Sequence, residues 1–246
     1  MEETNKGECK RMKYILTIDM AAASINTVLT DENDNQQTNH FGYEGVVFPT
    51  DDVTPDNIAN TLINALGTLQ RGLPGEQDVI TEIHFVTGIA NAWMALDENF
   101  MPLTEVISGG DNRAAKYVDA LMLNGIGGQL QRKAGIPMTA TEPLVLTLWL
   151  KNEQPDVYQT AAHYMGVQEF VLYRLFGINV IDTVHAARTG FYNVETQTWD
   201  RQALAVTGLT ATHLPQIITT TTINTPLLAQ VAAQTNLDAQ TTFYLR

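Results

Sequence analysis

The chain has 246 residues, 44% of them hydrophobic and 17% charged, and a formal charge of −13 from 14 Lys and Arg against 27 Asp and Glu. That length and apolar content suit one large domain or two small ones with a sizeable core. So acidic a surface repels phosphate backbones and anionic headgroups, which argues against nucleic-acid and membrane partners. A lone cysteine, Cys9, excludes an internal disulfide and a cysteine-built metal site.

Residues 1–12 read as a disordered leader, polar and mixed in charge, without the apolar stretch of a signal peptide. No apolar run approaches the ~20 residues that span a bilayer, so a soluble, cytoplasmic protein is expected. Tyr14-Ile15-Leu16-Thr17-Ile18 is apolar and β-rich throughout. It predicts a central strand covered on both faces, closed by Asp19. A second strand is predicted over Ile25–Thr30, a turn over Asp31–Asn35 and a third strand within Gln36–Phe48.

Thr54-Pro55-Asp56 opens a helix, with Thr54 as N-cap and Pro55 at the first helical position. Ile58, Leu62, Leu66 and Leu69 give that helix one apolar face, and Gly72–Gly75 ends it. Strands are expected over Val79–Val86 and Trp93–Leu96. From residue 111 onward the chain reads as mostly helical, with helices after Asp111 and over Pro143–Lys151 and Val167–Phe176. Asp111-Asn112 before the apolar-periodic Ala114, Tyr117, Val118 and Leu121 also reads as a plain helix start. The threonine run 219–222 reads as a loop or edge strand. Three strands, a helix and a strand is an order found in many α/β domains.

Local chemical motifs are few. The histidines at 40, 84, 163, 185 and 213 form no His-x-x-x-His pair, so no zinc site is read. Neither a Gly-x-Ser-x-Gly elbow nor a Walker-type loop is present.

Tyr14-Ile-Leu-Thr-Ile-Asp19 and Gly110-Asp111-Asn112-Arg113-Ala114 resemble two conserved stretches of the FGGY carbohydrate kinases. So do Gly135-Ile-Pro-Met138, Leu148-Trp-Leu-Lys-Asn-Glu153, Glu169-Phe170, Tyr173-Arg-Leu-Phe-Gly177, Thr189-Gly-Phe-Tyr-Asn193 and Trp199-Asp200. They keep the family's order from about residue 13 to the end, in a gluconokinase- and xylulokinase-like pattern. The resemblance implies an α/β, ribonuclease H-like (actin-like ATPase) fold, a mixed sheet flanked by helices with a helical insertion. Residues 13–246 would be the N-terminal, sugar-side domain, with the C-terminal nucleotide domain absent.

The implied function is ATP- and magnesium-dependent phosphorylation of a sugar or sugar acid such as gluconate or xylulose. Asp19 and Ser24 would face the nucleotide, Asp19 would serve the metal, and Asn91, Asp111, Asn112 and Arg113 would hold the polyol. No catalytic residue is assigned. The family's general base lies in a Gly-x-Asp segment beyond Arg246, so the resemblance implies a chain inactive by itself. Its partner would be a missing C-terminal domain or a second copy.

The departures from the family point the same way. Its phosphate turn Asp-x-Gly-Thr-Thr becomes Asp19-Met20-Ala21-Ala22-Ala23, which removes hydroxyl donors and adds a Cβ at the glycine. A basic position becomes Asn26. The Gln-Met-His-Ser-like segment becomes Gly88-Ile89-Ala90-Asn91, the sugar-facing tryptophan becomes Gly109, and Thr139 and Leu146 stand where His and Lys are expected. These changes keep open an alternative: a non-catalytic sugar- or partner-binding module derived from such a kinase.

Overall fold

The computed structural model describes residues 11–44, 53–86, 92–107 and 112–246. Cys9, Gly88–Asn91, Gly109 and Asp111 lie outside the described residues. Arg11 and Met12, read from sequence as leader, belong to the fold: Arg11 pairs with Asp238, and the Met12 N–H donates to Asp78 Oδ1 at 3.0 Å.

The first half alternates strands and one long helix: β1 (Lys13–Met20), β2 (Ser24–Asp31), β3 (Gln36–Gly42), α1 (Pro55–Arg71), β4 (Val79–Val86) and β5 (Met94–Leu96). The predicted Thr54 cap and the Asp31–Asn35 turn are present. Thr54 Oγ1 accepts the Asn57 N–H at 3.2 Å, and the Asp31 carboxylate accepts the Asn33 and Asn35 N–H groups in the turn before β3. Ile58, Leu62, Leu66 and Leu69 are all buried, each contributing roughly 1.5–3 kcal/mol.

The second half continues with α2 (Ala115–Leu123), α3 (Ile126–Ala134), α4 (Pro143–Glu153), α5 (Pro155–Thr160), β6 (His163–Met165), α6 (Val167–Phe176), β7 (Val180–Asp182) and α7 (Thr183–Ala187). After these come β8 (Tyr192–Asn193), β9 (Thr198–Trp199), α8 (Arg201–Thr207), β10 (Gln216–Ile218), β11 (Thr222–Ile223), α9 (Ala229–Thr235) and β12 (Thr242–Leu245). Helices make up most of the regular structure of this half, as expected, and the short strands between them were not foreseen. They are two to four residues long, too short to leave a period-two signal. The threonine run leads into β11, an edge strand.

The main sheet is mixed, in the order β11-β12-β4-β1-β2-β3. β1, β2 and β3 form an antiparallel meander, whereas β4 runs parallel to both β1 and β12. One face carries Tyr14, Leu16, Ile18 and Met20 into a core shared with α1, α6 and α9. The other face does not match its prediction. Ile15 is 39% and Val86 40% exposed, and among the described residues no hydrophobic cluster includes Ile15, Val28, Val86 or Tyr244. The continuous apolar run of β1 announces two-sided burial, and the described residues supply helices for one side.

A second core lies in the helical half, around Trp93. Its ring stacks near Tyr164 and Phe191, with centroids 6.5 and 6.2 Å away, and its Nε1–H donates to Thr147 Oγ1 at 3.1 Å.

Candidate functional site

β1 and β2 meet in a tight turn. The Ala21 N–H donates to the Ser24 carbonyl at 2.9 Å, and two carbonyls of the turn are claimed by one residue just after β3. The Tyr43 hydroxyl donates to the Ala21 carbonyl at 2.9 Å, and the Tyr43 N–H reaches the Ala23 carbonyl at 3.4 Å. Burial, and then the charge of Asp19, push the Tyr43 phenol well above its ordinary range, so it stays a neutral donor. Tyr43 escaped the sequence reading because it arrives through sheet register, 22 residues from the turn it holds.

The register sets Asp19 opposite Asn26, and Asn26 opposite His40. The His40 Nδ1 and Asn26 Oδ1 lie 2.8 Å apart. A carboxylate, an amide and an imidazole therefore line up across three strands on the open face. Ser24 shares that face by alternation, two residues before Asn26, but is 4% exposed. The structure thus brings Asp19 and Ser24 together at one strand end.

Asp19 Oδ1 is buried and has no hydrogen-bond partner, which is uncommon for a buried polar atom. A free carboxylate oxygen at a strand end fits a magnesium ion. Magnesium is held through one or two carboxylates plus phosphate and water oxygens rather than by a protein cage. Among the described residues no group of three or more His, Cys, Asp or Glu could hold a metal, so Asp19 would be its protein anchor.

The sugar-side residues occupy the other part of the molecule. Asn112 and Arg113 are exposed, and the Arg113 guanidinium lies over the Trp149 ring, 5.0 Å from its centroid. The helix-start reading is not met by Asn112: Ala114 is the N-cap of α2, without a side-chain cap bond. Residues 87–91 follow Val86, which pairs with Asp19. Trp93 and Ile107, the described neighbours of the 87–91 and 108–111 segments, exchange two backbone hydrogen bonds.

Three buried carboxyl groups behind this region escaped the sequence reading as chemistry. Glu169 is 3% exposed. Its Oε2 accepts the Gly166 N–H at 3.0 Å, and Oε1 has no partner. Burial pushes it up to about 7, against the opposing charge of His185. A Cβ on Gly166 would meet both Glu169 Oε2 and the Ala92 carbonyl, so the glycine leaves room for the carboxylate.

Asp182 Oδ2 lies 2.7 Å from His185 Nδ1 and accepts Gln168 Nε2–H at 2.9 Å, while Oδ1 caps α7. Burial alone would raise Asp182, but the His185 hydrogen bond and charge outweigh it and hold the group at about 2. Burial likewise opposes the charge on His185, and Asp182 and Glu169 overcome it and raise the imidazole. Glu142 has no such compensation. It sits 3% exposed, packed against Gly190, and its one hydrogen bond is from the Thr139 N–H at 3.3 Å. Burial pushes it up to about 8.

The description of the FGGY family of carbohydrate kinases, N-terminal domain, matches residues 14–244. This chain is a member of the FGGY family. It is 30% identical over 235 residues to a gluconokinase of Bacillus licheniformis, covering 94% of this chain and 45% of that enzyme. Its fold is similar to a gluconate kinase of Lactobacillus acidophilus (TM-score 0.86, 27% identity, 95% of this chain and 47% of that one). A ligand-bound xylulose kinase of the same organism gives TM-score 0.86 and 27% identity over 94% of this chain and 47% of that one. The chain thus spans a little under half the length of these relatives and corresponds to their N-terminal half. The sheet with its flanking helices is the actin-like ATPase fold. Among the described residues no helix is long and apolar enough to cross a membrane.

Proposed function

We propose that this chain is the sugar-side half of a cytoplasmic, ATP-dependent kinase for a sugar or sugar acid such as gluconate or xylulose, and that it transfers no phosphate by itself. The observation that carries the reading is the match of residues 14–244 to the family's N-terminal domain, together with the free carboxylate oxygen of Asp19 at the phosphate turn.

Bound magnesium–ATP supplies the phosphoryl group and the cation that neutralises its charge. Asp19 would anchor that cation, directly or through water, with Ser24 beside it. Asn91, Asp111, Asn112 and Arg113 would hold the polyol, and Trp149 fixes the Arg113 guanidinium by stacking. Phosphoryl transfer needs an in-line hydroxyl and a group that orients or accepts its proton. In this family that group belongs to the C-terminal half. The partner would therefore be a nucleotide-side half, or, failing that, a second copy.

A second reading, a non-catalytic sugar- or partner-binding module, is favoured by the turn itself. Its Ala21 N–H and its Ala21 and Ala23 carbonyls are already satisfied by Ser24 and Tyr43, and its side chains donate nothing. A coupled assay with gluconate, xylulose and glycerol, magnesium and ATP tests the first reading. No turnover is expected from the chain alone; rates in the family's range of roughly 1–100 per second would overturn the claim of inactivity. Calorimetry is expected to show ATP binding no tighter than about millimolar, since each lost charge-assisted bond is worth about 1.5–3 kcal/mol. Micromolar binding would overturn this view of the turn.

A further inference from the structure

We propose that the cleft beside Trp199 binds a neutral carbohydrate of one or two rings, at a place separate from the polyol residues of the candidate site. The proposal does not depend on the chain being half of a kinase.

The cleft opens where four pieces of the second half meet: the residue before β7, the β8–β9 hairpin, the segment 211–215 and β10. Backbone and side-chain bonds fix its shape. β10 runs parallel to β7, and the Gln216 N–H donates to the Asn179 carbonyl at 3.0 Å. The Trp199 Nε1–H donates to the Pro215 carbonyl at 3.1 Å, which ties β9 to the entry of β10. The Tyr192 ring stands at 85° to the Trp199 ring, with centroids 6.3 Å apart. The indole is therefore held in one orientation with its donor already used, and what it offers the cleft is hydrocarbon. The cleft has a volume of about 680 Å³, inside the range of small-molecule sites.

The lining selects the ligand. Trp199, Leu214 and Ile217 supply apolar surface, and Asn179, Gln197 and Gln216 supply amides. An amide both donates and accepts, as a hydroxyl does. No ionisable residue lines the cleft, although 17% of the chain is charged. A charged ligand brought there would lose hydration with no counter-charge to meet it. A wholly apolar one would leave the amides it covers without partners. A sugar ring carries both kinds of surface: C–H faces that lie against an indole, and hydroxyls around the rim that pair with amides.

Asn179 supplies an independent sign of a missing partner. Its Oδ1 is buried and has no hydrogen-bond partner, which is uncommon for a buried polar atom. Turning this amide toward the cleft breaks no bond at the oxygen, and a ligand hydroxyl that donates to it satisfies it.

The three tryptophans make the test local. Trp93 is 3% exposed in the core, Trp149 lies under Arg113, and Trp199 lines the cleft. Each indole N–H signal in a proton–nitrogen NMR spectrum therefore reports its own place, and Trp199→Phe assigns the cleft signal. The nitrogen-labelled chain is titrated with glucose, maltose and cellobiose, and separately with gluconate and adenosine. At least one neutral sugar is expected to move the Trp199 signal saturably, with a Kd of about 1 mM, and gluconate and adenosine to bind there about tenfold more weakly or worse. Asn179→Ala and Gln216→Ala are each expected to weaken the sugar about fivefold, the scale of one hydrogen bond, and Arg113→Ala to leave the Trp199 response unchanged.

A Trp199 signal that none of the three sugars moves at about fifty times that Kd overturns the proposal. Gluconate or adenosine binding there as tightly as the sugars overturns the assigned class. A Trp199 response lost in Arg113→Ala and untouched by the two amide variants puts the sugar at the candidate site and overturns the cleft. Should Asn179→Ala lower the melting temperature, Gln197→Ala combined with Gln216→Ala decides, since both residues are exposed. The Trp149 signal is scored separately: its silence counts against polyol binding at Arg113 and leaves the cleft standing.

Discussion

The phosphate turn and the helical half place their carboxylates differently. In the sheet half, Asp19 stands at a strand end, with one oxygen free and the turn beside it tied down by Tyr43. In the helical half, Glu142, Glu169 and Asp182 are each at least 93% buried. Asp182 is compensated by His185, Glu169 partly so, and Glu142 only by the Thr139 N–H. The Asp19 carboxylate keeps one oxygen without a protein partner. One carried inward must find a partner or keep its proton.

The largest test of this contrast is pH. Glu142 and Glu169 have folded-state values raised to about 8 and about 7 from the ordinary 4.5. Their contribution is fully present below about pH 4.5, where both states are protonated. It is lost as pH rises through those folded values, because the unfolded chain releases its protons first. Stability is therefore expected to fall between about pH 4.5 and 8, and Glu142→Gln to flatten that decline. The gain at pH 8 should be on the order of 3 kcal/mol by denaturant unfolding. An unchanged pH slope would show that the Glu142 carboxyl is solvated.

Next in size is Asp182→Ala, which removes the His185 partner and the α7 cap together. A loss of about 2–3 kcal/mol is expected at pH 6. Since Asp182 is held at about 2, its own contribution is present above its ordinary 3.8 and disappears only as pH falls toward 2. Histidine titration by NMR should show the His185 value dropping in the variant; an unmoved value would break the pairing inferred here.

On the sheet side the effects are smaller. Tyr43→Phe deletes one hydrogen bond to the alanine turn and should cost about 1 kcal/mol, with faster amide exchange at Ala21. Smallest is Arg11→Ala at the exposed Arg11–Asp238 pair, where less than about 0.5 kcal/mol is expected. A larger effect in thermal unfolding would mean that the chain start is a structural strap.

Much of the sheet half was legible because its signals are local. Thr54-Pro55 marks a helix start, and Asp31–Asn35 composes a turn whatever surrounds it. The apolar run of β1 reads as a central strand, as it is, and as one covered on both sides, for which the described residues supply one side, since periodicity records what a face is suited to and not what covers it. β12 went unread because Thr242–Leu245 is four residues long and its partner β4 lies about 160 positions away. Asp19 and Ser24 enter the candidate site through the family resemblance, Asp19 as the residue that closes an apolar run. His40 and Tyr43 reach it only through register, and nothing in their neighbours along the chain announces that. Glu142 beside Pro143 reads as an ordinary helix entry. Its inward turn depends on Gly190, whose φ of +76° and lack of a Cβ leave room for the carboxylate.

The pairing of β12 with β4 also sets the order of assembly. The β1–β2–β3 meander joins neighbours in sequence and can form as soon as its residues exist. The parallel contact Thr242–Glu82 closes a loop of about 160 residues, a step whose entropy must be met before its contacts reward it. During synthesis this β4 edge therefore waits, unpaired, until β12 has left the ribosome. An open edge of Ile83 and Phe85 is a template for other chains. A chaperone that recognises extended apolar segments should find its main target there, and slowing synthesis after β4 should lower the soluble yield more than slowing it before β1.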